Sequence, residues 1–501
     1  MKRSRATRIL APVIALGLIA AACGSDDDAE PADTSAVEET DSTEAAEETD
    51  TTEAMEEGDD TETTEAMDEG DDTETTEAAD EGASGEFGGE PDADGVYQIA
   101  AGVTIDPADC PSDWSNTAGL EESIKIGMSL PQSGALAAFG ALGDGLQAYF
   151  DYVNENDPID GKLLELILAD DAYDPARTQT NVEDIIETDE VGAFSWIVGT
   201  ANNGQVRPLL NEECIPQLFN STGLPAWGDP ANYPWTSGGL LAYSTEADIW
   251  CGHIVDELGE GATVAGLFAN NDFGASYQST VEACEGIDLV ENITHETTAA
   301  DISNELTTLA ASGADAFVLG STGAFCPQAM AGVAASPWEP LVLISNTCNA
   351  IGSFFAPVDP AGQGVRLVNN NKSIGDTDTG DEAITLWRQI LEDAGIDPDS
   401  GSASTGVIFG YTLEAVLRNA AALPGGLTRT NIMSANYNLD FQNPLLLDGV
   451  TEILDGVNDS YLIEAAIIQE YQAPTEEGGV GTYTDVSDLI SVEGETGTFG
   501  G

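Results

Sequence analysis

The sequence predicts an α/β protein of two doubly wound lobes, and three observations carry that prediction. From residue 124 onward, short apolar strands alternate with helical stretches, the pattern of parallel sheets covered on both faces. The series runs once to Phe219 and starts again after Glu246. Between the two lies the stretch 215–236, IPQLFNSTGLPAWGDPANYPWT. Its apolar strand turns polar at Asn220, Ser221 and Thr222, then continues as an aperiodic loop with three prolines and two tryptophans. A strand ending in small hydroxyl and amide residues offers donors at the carboxyl edge, where open α/β sheets bind ligands. The stretch is read as the passage between the lobes.

Residues 1–23 read as a lipoprotein signal peptide. Lys2, Arg3, Arg5 and Arg8 form a basic start, and 9–22 is apolar but short for a membrane span. The segment ends Ala20-Ala21-Ala22-Cys23-Gly24, a lipoprotein cleavage box with Ala20 where leucine is usual. Cleavage there makes Cys23 the lipid-bearing terminus; the alternative is an ordinary secretory signal with an incidental cysteine. Residues 24–95 hold 31 Asp and Glu and no Lys or Arg. Such a segment buries too little surface to offset chain entropy, and its twelve-residue repeat has nothing to build a solenoid core. It reads as a disordered acidic tether, reaching roughly 50 Å as a coil and further under self-repulsion.

Residues 96–123 are an N-terminal extension, and 124–236 form the first part of lobe 1. Strands are expected at 124–130, 163–169, 194–198 and 215–219, with helices at 146–154 and 174–187. Asp174-Pro175 supplies an N-cap and a first-turn proline. Gly134, Gly140, Gly143 and Gly145 free the backbone before the first helix for close approach, and helix-N-terminal amides there can receive an anion. The spacing is not that of a dinucleotide fingerprint. Lobe 2 spans 237–368, with strands at 263–268, 287–291, 316–319 and 341–344 and helices at 246–258, 275–284 and 302–312. The chain recrosses at 366–371 into the second part of lobe 1, residues 369–450. Helices are expected there at 381–394 and 411–422, with a capped start at 427–431. Residues 451–474 return to the hinge and lobe 2 with a strand at 462–471, and 475–501 read as a flexible tail.

The chain carries a net charge of −78. The signal's four basic and the tether's 31 acidic residues account for −27 of it, leaving −51 on 96–501. That balance excludes a nucleic-acid footprint and docking on anionic headgroups, so the N-terminal lipid is the expected membrane contact. After Cys23, six cysteines remain in an exported chain, with 15 complete pairings. The expected set is Cys326 with Cys348, Cys251 with Cys284, and Cys110 with Cys214; the last pins the extension to lobe 1. No metal or cofactor is expected: His253 and His295 are the two histidines, and their spacing does not suit zinc. Nucleophile-elbow, P-loop and HExxH motifs are absent, and both histidines read as structural. The expectation is a binding protein and not an enzyme.

The motifs PQLF, WGDP, YPWT and NNDFG (270–274) resemble the type I periplasmic binding proteins of the leucine/isoleucine/valine-binding branch, over about 124–471. The resemblance implies two Rossmann-like lobes with parallel sheets joined by a multi-strand hinge. It implies the extracytoplasmic, lipid-anchored receptor of an ABC importer, which closes on a small ligand and delivers it to permease and ATPase subunits. Carried over by position, Phe139 falls where relatives place a tyrosine against the ligand. Asn202, Asn203 and Gly204 fall where a serine and backbone amides hold its carboxylate. Asn220 and Thr222 fall where a carbonyl and a hydroxyl meet the α-amino and α-carboxyl groups. Phe273 replaces a covering tyrosine, and Thr322 lies in another cleft loop. Thr347 stands where amino-acid binders often carry a glutamate for the ammonium. Either Asp272, Asp171 or another acid substitutes, or the ligand is an amide, urea or organic acid. The leading ligand is a branched-chain or other apolar amino acid, and a sensory subunit is the alternative outside transport.

Overall fold

The computed structural model describes residues 87–476 and 478–492. The signal, Cys23 and nearly all of the acidic tether lie outside the described residues. The described chain opens with a hairpin of β1 (Tyr97–Ala100) and β2 (Val103–Ile105). The described end of the stretch expected as tether is held to the fold: Gly88 N–H donates to Gln98 O at 3.0 Å and Gly89 N–H to Asn431 Oδ1 at 2.8 Å.

Lobe 1 follows as β3 (Ile124–Leu130), α1 (Gly140–Asn156), β4 (Leu164–Asp170), α2 (Pro175–Asp189), β5 (Ala193–Ser195), α3 (Thr200–Glu212), β6 (Gln217–Asn220) and β7 (Thr236–Gly238). Its sheet runs β4-β3-β5-β6-β7, all parallel. The inner strands β3, β5 and β6 are buried almost throughout, so helices must cover both sides. Asp174 caps α2 as its sequence requires, accepting from Ala176 N–H at 2.9 Å.

The chain crosses after β7 into lobe 2. This comprises α4 (Tyr243–Leu258), β8 (Ala262–Ala269), α5 (Asp272–Ala283), β9 (Ile287–His295), α6 (Ser303–Ser312), β10 (Ala316–Gly320), α7 (Phe325–Ala334), β11 (Leu341–Ile344) and β12 (Arg366–Asn369). It recrosses after β12 to build α8 (Glu382–Asp393), α9 (Ala403–Ala422), α10 (Arg429–Tyr437), β13 (Asn438–Phe441) and β14 (Glu452–Asp455). A third crossing leads to β15 (Ala465–Gln472), β16 (Thr482–Asp485) and β17 (Ile490–Ser491). The lobe 2 sheet runs β16-β15-β12-β11-β10-β8-β9, with β17 on β15. Its β9-to-β12 part is parallel, and β15 pairs antiparallel with β12, fixed by Arg366 Nε on Glu470 Oε2 at 3.0 Å. Three crossings between two α/β lobes give the expected multi-strand hinge.

Several expectations shift. The glycine-rich stretch before 146 is loop only as far as Leu136, with Gly134 at φ 85°; α1 already starts at Gly140, and Gly145 serves helix packing. A Cβ on Gly145 would lie 1.9 Å from Ala403 O, and one on Gly406 would lie 2.1 Å from Leu142 O. The α1 and α9 backbones therefore touch, and side chains would force them apart. Helix α9 correspondingly begins at Ala403, ahead of the expected 411, and α7 was not anticipated. The expected tail is strand at 482–485, where β16 pairs with β15 through Gln469 to Gln472. All three disulfides join the expected cysteines: Cys110–Cys214, Cys251–Cys284 and Cys326–Cys348. The Pro- and Trp-rich loop is ordered, with Trp227 and Trp235 buried and the Arg207 guanidinium 3.4 Å from the centre of the Tyr233 ring.

Candidate functional site

The carboxyl ends of both sheets face one cavity, open at its mouth and lined by both lobes. Lobe 1 contributes Phe139 before α1, Tyr173 after β4, Trp196, Val198 and Gly199 after β5, Ser221 after β6, and Leu240 after β7. Lobe 2 contributes Phe273, Thr322, Thr347, Asn349 and Phe354. The returning segment adds Ile408, Phe409, Leu446, Glu452 and Ile463. The wall is mainly aromatic and aliphatic with few polar groups, the usual make-up of a small-molecule site.

The lobes meet across the mouth. Ala324 N–H donates to Ala135 O at 3.3 Å, and Ser402 N–H donates to Ser353 Oγ at 3.1 Å. Phe139 and Phe354 approach to 5.8 Å between ring centres across the mouth, while within lobe 2 Tyr243 meets Phe273 edge-on at 4.8 Å. Trp196 is stacked on Phe409 and Phe219, with its indole N–H on Phe409 O at 3.2 Å, so this wall is rigid.

Polar groups sit at defined points. Helix α3 opens at Gly199, whose φ of 107° is open to glycine and which has no side chain to cap the helix, while the Tyr173 hydroxyl reaches the Thr200 backbone amide. The amides and partial positive charge of a helix N-terminus are suited to an anion. Ser221 lies beside it across the Val198–Ser221 bridge. Thr347 Oγ1 pairs with Ser345 Oγ at 2.8 Å. Glu452 is 1% exposed; its Oε1 accepts from Thr412 Oγ1 at 2.8 Å and Asn443 Nδ2 at 3.1 Å, while Oε2 has no partner. Burial pushes its carboxyl up to about 8, against those two hydrogen bonds. Burial likewise raises the Tyr173 and Tyr243 phenols, Tyr243 to about 12.

Of the residues expected at the ligand, Phe139, Phe273, Thr322 and Thr347 line the cavity. Asn202, Asn203, Gly204, Asn220 and Thr222 do not. Strand β5 is short, so 200–204 form the first turns of α3 instead of a cleft loop. Asn203 turns inward, its Nδ2 donating to Ile197 O at 2.7 Å and Gly199 O at 2.9 Å. Asn202 donates to Thr178 Oγ1 at 2.6 Å behind the sheet end, and Gly204 is exposed. Thr222 is buried with its hydroxyl 2.7 Å from Thr200 Oγ1, and Asn220 is buried in β6. The cavity-facing positions are their neighbours Gly199 and Ser221, a register difference of a few residues. Neither acid weighed as a substitute reaches the wall: Asp272 is exposed at the start of α5, and Asp171 is held by Ser129, Thr178 and Tyr173 N–H. The histidines also lie off the cavity. His253 Nε2 is 2.8 Å from Arg366 Nη1, and His295 Nε2 is 2.7 Å from Ser321 Oγ.

A periplasmic binding protein profile matches residues 123–458, so the chain belongs to that family, whose members are non-catalytic solute carriers. Solved structures share the fold at low identity. A branched-chain amino acid ABC transporter protein from Thermus thermophilus with bound valine aligns at 17% identity. It covers 74% of this chain and 97% of its own, with a TM-score of 0.66. A fatty acid ABC transporter substrate-binding protein from Thermomonospora curvata aligns at 17% identity, covering 76% and 96%, with a TM-score of 0.64. A solute-binding protein from Rhodopseudomonas palustris HaA2 with p-hydroxybenzoic acid aligns at 16% identity, covering 74% and 98%, with a TM-score of 0.60. No curated protein matches significantly.

Proposed function

We propose that the chain is the extracytoplasmic receptor of an ABC importer, capturing a small solute with an apolar body between its lobes and delivering it to a permease–ATPase complex. The observation that carries this is the interlobe cavity, apolar in its walls and bordered by the N-terminus of α3. The solute's carboxylate sits at Gly199 and Ser221, and its side chain packs against Trp196, Phe139 and Phe354. Closure shields these contacts from water and turns binding into a hinge motion. A branched-chain or other apolar amino acid is the leading solute. Cys23 carries the lipid that anchors the receptor, and the acidic tether holds the lobes away from the membrane. A second reading, an amide or a carboxylic acid without an amino group, is favoured by Thr347 standing where an acid is usual.

A thermal-shift screen of the chain against amino acids, amides, urea and small organic acids tests the reading. A ligand at one hundred times Kd stabilises the native state by about 2.7 kcal/mol. A shift with leucine, isoleucine or valine supports the leading solute. A shift confined to amides or carboxylates replaces it by the second reading, and no shift with any of them overturns both.

A further inference from the structure

Among the residues lining the interlobe cavity there is no lysine, arginine or histidine, and one carboxyl, Glu452. It lies on β14, whose alternation turns Glu452 and Leu454 inward and leaves Asp455 outside. Thr412 and Asn443 both donate to Oε1, and Oε2 is left without any partner in a side chain 1% exposed. Buried carboxyl oxygens are ordinarily satisfied, and an orphan at a cavity wall marks a place for a ligand group. Two other buried acids near the cleft are already paired, and a third, Glu464, does not line the cavity. Glu246 meets Tyr277 and Asn346 N–H, and Asp171 meets Ser129 and Thr178.

We propose that Glu452 Oε2 receives the protonated amino group of the solute, doing from β14 the work that no acid does at Thr347. This rests on the cavity being the solute site. The two donors on Oε1 stabilise the carboxylate once a cation is beside it. The field of a chain at −78 also favours a cationic group over an anionic one. Without a cation, burial keeps the carboxyl protonated at neutral pH. An arriving ammonium keeps its own proton and pairs with the carboxylate, and the carboxyl proton leaves to solvent. The groups packed on Glu452, Thr412 and Asn443, do not titrate in this range. The phenols sharing the cavity, Tyr173 and Tyr243, are raised out of it. With the empty-site value near 8, binding at pH 7 releases roughly 0.9 proton per ligand. Affinity therefore rises with pH from 6 to 8.

The test is calorimetric titration of the full chain at pH 7 in two buffers of different ionisation enthalpy. The probes are L-leucine and 4-methylpentanoate, the same skeleton without the amino group. Expected are proton release with leucine and none with 4-methylpentanoate. Glu452→Gln should weaken leucine about tenfold to hundredfold, abolish the release and leave 4-methylpentanoate within about threefold. If the variant does not fold, the same titration of Glu246→Gln decides, since it removes the other carboxyl raised to about 8 beside the cavity: release that persists there supports Glu452, and release lost there overturns its role. Leucine bound without proton release, or bound equally by the variant, overturns the role of Glu452 and leaves the receptor reading standing. No binding of leucine at all overturns the amino-acid reading, and the role of Glu452 with it.

Discussion

Replacing Glu246 by glutamine should flatten the dependence of stability on pH. Glu246 is 1% exposed beneath the loop that carries Thr347. Its Oε1 accepts from Asn346 N–H at 2.7 Å, and its Oε2 lies 2.6 Å from the Tyr277 hydroxyl, itself 2.9 Å from Ser345 Oγ. Burial outweighs these bonds and pushes the carboxyl from 4.5 up to about 8. Between those values the folded state holds a proton that the unfolded state has lost. The stabilisation is complete below 4.5 and is lost as pH rises through about 8, at about 1.4 kcal/mol per pH unit. Glutamine reproduces the neutral acid, with a carbonyl for Asn346 N–H and an amide for Tyr277. Urea unfolding of both proteins at pH 5, 6, 7 and 8 isolates this group, because subtraction removes the general charge repulsion. The variant should gain on the parent by roughly 4 kcal/mol over that range. Parallel curves would refute the assignment of a buried neutral acid.

Three further outcomes follow from packing. Gly145→Ala should cost at least about 2 kcal/mol, since its Cβ meets the Ala403 carbonyl at 1.9 Å; urea denaturation measures it. Replacing Cys110 and Cys214 by serine opens a loop of 104 residues and should cost about 4 kcal/mol, read from the same transitions. Gly323→Val puts a side chain where Leu136 crosses the mouth, 2.0 Å from the Cβ position, and should weaken solute affinity at least about tenfold, by titration calorimetry. Part of its cost is backbone, because Gly323 has φ of 65°.

The alternation of strands and helices was legible because each buried parallel strand is an apolar run bounded by breakers, and the N-caps Asp174 and Thr428 mark their helices directly. Cavity positions were less so. A ligand loop and a helix start both follow a strand, and the sequence at 199–204 does not say which begins where. The structure starts α3 at once, so Asn202 and Asn203 turn into the lobe while Gly199 faces the cavity. The resemblance points to Thr222, yet a one-residue step after β6 puts Ser221 at the cavity and Thr222 in the interior. Glu452 was lost among 91 acidic residues. Its signal was the alternation in Glu452-Ile453-Leu454-Asp455, which places a carboxyl on the same face as a buried leucine.

The measurement that bears most directly on the central claim is small-angle scattering of the chain with and without a saturating solute from the thermal screen. Closure of two lobes on the cavity predicts a smaller radius of gyration in the presence of solute, with contacts such as Ala324 to Ala135 formed across the mouth. Identical profiles at saturation would contradict capture by hinge closure.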